Sequence, residues 1–97
     1  MKIAILEQAK RDLIDGFRFY EDQAAGLGSY FLTNLYADIE SLRIYGGIHN
    51  KPYKNYHRML SRRFPFAVFY RVDRETVLIH AILDCRRDPA WIRKTLQ

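Results

Sequence analysis

The chain has 97 residues, of which 48% are hydrophobic, 14% aromatic and 28% charged, and its formal net charge is +5. That length holds one domain, residues 1–97, around one core, the apolar content excludes bulk disorder, and no apolar run approaches the roughly 20 residues of a bilayer-spanning helix. One cysteine and three histidines exclude a disulfide scaffold and cannot fill the spacing of a zinc module, so neither a metal nor another cofactor is expected.

Met1 to Leu6 contains Ile3, Ile5 and Leu6 beside Ala4, a short apolar run of strand length that is read as a strand. From residue 8 onward Ala9, Leu13, Phe17, Tyr20 and Ala24 recur at spacings of three and four among charged residues, which predicts an amphipathic helix. Gly16 lies inside it and implies close packing against another element. The Gly26 to Ser29 stretch breaks the pattern, with Ser29 as the expected N-cap of a second helix carrying Phe31, Leu35, Ile39 and Leu42. That helix is expected to run to about Tyr45 and stop at Gly46 and Gly47, giving an antiparallel helical hairpin.

After a connector over residues 48–56, three strand-length runs are expected at 57–63, 66–72 and 76–83, the last two joined as a β-hairpin. Pro65 suits a strand start. Both faces of the 66–72 strand are largely apolar, and a helical hairpin covers only one, so a partner is expected on the other. Asp88 and Pro89 read as cap and first position of a short C-terminal helix. The fold class is therefore α+β: an N-terminal strand, a helical hairpin on a mainly antiparallel sheet of about four strands, and a short terminal helix.

The charge is unevenly spread: residues 1–46 carry a net −2 and residues 47–97 a net +7. An electropositive C-terminal half suits nucleic acid or an acidic protein surface. The first dozen residues lack the pattern of an export signal, which points to the cytoplasm. Arg58, Arg62, Arg63, Arg71 and Arg74 lie in or beside the strands, where arginine forks either bind carboxylates and phosphates or keep a small sheet soluble. Asp84 to Asp88 follow the last strand and read either as a binding edge or as a salt-bridged turn. Trp91 is either an interaction anchor beside Arg87 or core closure. Cys85 reads as an inert core residue. His57 and His80 are the only imidazoles placed for acid–base work, and His80 alternates with apolar residues as a hydrogen-bonded sheet histidine does.

Several strings in the C-terminal half carry a resemblance: Tyr56-His57-Arg58, Arg63-Phe64-Pro65-Phe66, Phe69-Tyr70-Arg71-Val72 and Arg86-Arg87-Asp88-Pro89. The segment closely resembles the C-terminal half of the RelE/ParE superfamily of bacterial type II toxin–antitoxin toxins. The resemblance implies growth inhibition, an association with plasmid stabilisation, and a cognate antitoxin whose acidic or amphipathic C-terminal segment folds on the toxin. In that family some members cleave mRNA on the ribosome, whereas ParE-like members poison DNA gyrase without a recognised nuclease site. The nuclease branch carries an arginine near the place of Ala67, which cannot bind phosphate, although Arg86 and Trp91 lie near that branch's second arginine and terminal aromatic. The ParE-like branch is therefore favoured, with no catalytic residue. Its alternatives are a ribosome-dependent endoribonuclease and a non-toxic binding module. The resemblance assigns Arg58, Arg71 and Phe69 to the antitoxin, and Arg86, Arg87 and Trp91 to the target, with Arg86 and Arg87 also meeting antitoxin carboxylates.

Overall fold

The computed structural model describes residues 1–97. Its elements run β1 (Lys2–Ile5), α1 (Glu7–Glu21), α2 (Leu27–Glu40), α3 (Leu42–Tyr45), β2 (His57–Leu60), β3 (Phe66–Asp73), β4 (Thr76–Asp84) and α4 (Pro89–Thr95). The four strands lie in the order β1-β4-β3-β2. β1 is parallel to β4, and the other two pairs are antiparallel. The α+β class read from the sequence is the observed one.

The helical hairpin covers one sheet face because the positions spaced three and four apart converge there. Leu13, Phe31, Leu35, Ile39 and Leu42 pack on Val68, Tyr70, Val77 and Ile79, all buried. Each such side chain removed from water contributes about 1.5–3 kcal/mol. Gly16 permits the close approach of α1 and α2, since a Cβ there would lie 2.5 Å from Phe31 Cζ.

The hairpin turn differs from expectation. α2 begins two residues before Ser29, with Gly26 as its N-cap at φ +87°, a left-handed conformation that glycine adopts without a steric penalty. The capping oxygen comes from the preceding helix: the Glu21 carboxylate accepts the N–H of Gly26 at 3.0 Å and of Gly28 at 2.9 Å. Glu21 thereby does what Ser29 was expected to do. The second helix is also divided, with α2 ending at Glu40 and α3 resuming after Ser41. Ser41 Oγ donates to the Asp38 carbonyl at 2.6 Å, a back-bond of the kind that bends helices.

β2 stops at Leu60 instead of reaching residue 63. Asp38, only 4% exposed, accepts from Ser61 Oγ at 2.7 Å and Arg62 Nε at 3.1 Å, which draws the chain out of the ladder into the turn before β3. A second correction concerns the other sheet face, expected to await a partner. α4 covers it with Ile92 and Leu96, which pack with Ala67, Phe69, Ala81 and Leu83, while Tyr53 and Tyr56 of the connector close the same cluster. α4 begins as the sequence predicts: the Asp88 carboxylate accepts the Ala90 N–H at 2.9 Å and Pro89 opens the helix. No helix is long and apolar enough to cross a membrane.

Candidate functional site

The C-terminal end of β4 gathers the chemistry. Past Asp84 the chain turns through residues 85–88 into α4. The Asp84 carboxylate accepts from the Arg86 backbone N–H at 2.8 Å, from its Nε at 3.0 Å and from its Nη2 at 2.7 Å. Those bonds fix the guanidinium beside the strand end and hold the Asp84 carboxyl below the usual carboxylate range. Arg87 points differently, its guanidinium carbon lying 3.8 Å from the centroid of the Trp91 ring, within cation–π range.

Arg87 separates two hollows. Beneath α4, Arg58 from β2 joins Arg87, Tyr53, Phe69 and Cys85 around a recess of about 220 Å³. On the other side, Arg87 and Trp91 face α1 across a wider cleft of about 470 Å³ that Asp12, Asp15, Phe19 and Asp84 also line. Arg87 therefore links Arg58, with which it shares the recess, to Trp91, on whose ring it lies, while Arg86, one position earlier, is held by Asp84. Trp91 is 36% exposed, so closure of the core falls to Ile92 and Leu96.

Arg71 sits apart from that group. Its Nε donates to His80 Nε2 at 3.1 Å, and the Tyr56 ring lies 5.0 Å from the His80 ring. His80 therefore accepts through Nε2, and burial together with Arg71 lowers its pKa. His80 is the hydrogen-bonded sheet histidine expected. His57 pairs in register with Tyr70, stacks on its ring at 4.9 Å and donates from Nδ1 to the His49 carbonyl. Tyr70 belongs to the helix-side core, so His57 and His80 lie on opposite faces of the sheet.

Two expected placements are corrected. Phe69 is 1% exposed, lying under Tyr53 with ring centroids 5.9 Å apart, because α4 and the connector close over the face it was expected to present. Cys85 is exposed and not in the core, because it falls one residue past the end of β4, where its N–H donates to the Pro65 carbonyl at 2.8 Å. Sequence reasoning missed the links from Asp38 to Ser61 and from Asp12 to Ile82, which span 23 and 70 positions and leave no local pattern.

Neither a family model nor a curated protein matches the sequence. Among solved structures, a chain of the chromosomal ParDE TA system from P. aeruginosa is similar, with a TM-score of 0.75 at 16% identity over 84% of this chain and 92% of that one. At that identity the likeness lies in the backbone, and it gives this chain the fold of a ParDE TA-system protein.

Proposed function

We propose that the protein is the toxin of a type II toxin–antitoxin pair, ParE-like within the RelE/ParE superfamily, which poisons DNA gyrase in the cytoplasm and is silenced by a cognate antitoxin. The observation that carries this reading is the group formed by Arg58, Arg86, Arg87 and Trp91 at the end of the sheet, on a fold shared with a ParDE TA-system chain. The antitoxin's acidic or amphipathic segment meets Arg58 and Arg71. The Nε of Arg71 is committed to His80, which leaves its terminal nitrogens for a carboxylate. Phe69 takes part only where the cover of Tyr53 and α4 gives way. Arg86, Arg87 and Trp91 face gyrase, since exposed arginine and tryptophan are the residue types that anchor interfaces.

Action without catalysis is supported by the placement of the imidazoles. RNA cleavage needs a base and an acid near one phosphate, whereas His57 and His80 lie on opposite faces and Ala67 is buried. A second reading, ribosome-dependent mRNA cleavage, draws on Arg58 and Arg87 sharing one recess with Trp91 close by, a set able to hold a phosphate and stack a base. Plasmid supercoiling by purified gyrase, with the folded antitoxin-free protein added, separates the two. Linear DNA released on denaturation, in proportion to added protein, is the expected result. Unchanged supercoiling with no linear DNA overturns the gyrase reading and directs the test to mRNA cut on ribosomes.

A further inference from the structure

The connector of residues 46–56 has no helix or long strand of its own, yet it carries Tyr53 and Tyr56 onto the second sheet face. Its anchorage is a small polar cluster around Tyr70, a side chain with 0% exposure. The Tyr70 hydroxyl oxygen accepts the Gly47 N–H at 3.0 Å and is hydrogen-bonded to His49 Nδ1. His57 stacks on the Tyr70 ring and donates to the His49 carbonyl, and the Arg58 N–H donates to the Asn50 carbonyl at 3.0 Å.

These partners assign the protons. The only acceptor beside the buried Tyr70 hydroxyl proton is His49 Nδ1, so the hydroxyl donates there and that nitrogen is bare. His57 Nδ1 faces a carbonyl and must carry its proton. A proton added to His49 Nδ1 would stand against the hydroxyl proton, and a buried hydroxyl left without an acceptor costs its desolvation.

We propose that His49 is a proton-operated latch: in mild acid its Nδ1 is protonated, the bond to Tyr70 fails, and the connector detaches while the sheet stays folded, uncovering the face that Tyr53 and Tyr56 close. The groups facing His49 are His57 from β2 and Tyr70 from β3. Next to His57, a recess is lined by Lys51 from the connector and by Arg71 and Asp73 from β3. No carboxylate bonds His49 to offset a charge there. Burial, and then the nearby His57, lower the pKa of His49. A histidine whose pKa is lowered in the latched state favours that state above its ordinary value of about 6.5, and the advantage is lost as pH falls, by up to about tenfold per pH unit.

Amide hydrogen exchange on the whole protein, corrected for intrinsic rates, tests the latch at about pH 7.5 and about pH 5.5. Protection at Gly47 and Arg58 is expected to fall in acid, by up to about tenfold, while Val68 in the central strand β3 keeps its own. His49→Gln retains an acceptor without a titrating ring and is expected to remove the pH dependence. Tyr70→Phe is expected to lower protection of the Gly47 amide at both pH values. Unchanged protection in acid, an equal fall in the central strands, or the same pH dependence in His49→Gln overturns the proposal.

Discussion

The carboxylate of Asp12 on α1 accepts the backbone N–H of Ile82 on β4 at 2.9 Å, across 70 positions of sequence. β1 pairs only with residues 76–79 of β4, so beyond it the β4 edge has no strand neighbour. A helix side chain takes the place of the missing ladder partner at Ile82, where an unpaired N–H would otherwise incur its desolvation cost.

Asp12→Ala is expected to destabilise the fold by about 1–3 kcal/mol through the orphaned Ile82 N–H. Burial raises the Asp12 pKa, more than the bonds from Ile82 and Gln8 lower it. A carboxyl whose pKa is raised on folding counts against the native state once pH rises above its unfolded value of about 3.9. Asp12→Asn keeps the acceptor and removes the charge. It is expected to match or exceed the parent in stability at neutral pH, as read by urea denaturation.

Gly16→Ala tests the packing of the hairpin. The added methyl would meet the ring of Phe31 at 2.5 and 2.6 Å, and that ring, fully buried among Tyr20, Phe64 and Phe66, has little room to yield. A loss of about 1–3 kcal/mol is expected, the usual cost of overpacking. Combining it with Phe31→Leu is expected to recover part of that loss in the same thermal melts.

Replacing Arg86 and Arg87 together with alanine is expected to abolish toxicity on expression while circular dichroism stays that of the parent. A folded double mutant that still arrests growth overturns their assignment to the target. The single variant Arg86→Ala has a separate readout in Asp84. Its carboxyl, held low first by the Arg86 side-chain bond, is expected to return toward the ordinary carboxylate range in an NMR titration. A lowered carboxyl pKa stabilises the fold above the ordinary value of about 3.9, and that advantage disappears as pH falls through the lowered one.

Much of the architecture was legible because local chemistry expressed it. The spacing of Leu13, Phe31, Leu35 and Ile39 placed the hairpin, and Asp88 with Pro89 marked the start of α4. The pairing of β3 with β4 followed from two apolar runs around a polar turn. Two errors lie where a group outside the local pattern overrides it. Glu21 caps α2 in place of Ser29, and Asp38 ends β2 early. The candidate site was legible in part: Arg86, Arg87 and Trp91 were visible after the last strand, but the recess that Arg87 shares with Arg58 was not.

By itself, the sequence determined the class of fold, the order of its elements and the sign of its surface charge, because periodicity, capping and composition act over a few residues. Only the tertiary structure decided which side chains face outward at the sheet's second face. A short helix with two apolar contacts, Ile92 and Leu96, buries Phe69 and leaves Trp91 partly exposed. That choice rests on burial summed over elements far apart in the chain, which no local pattern records.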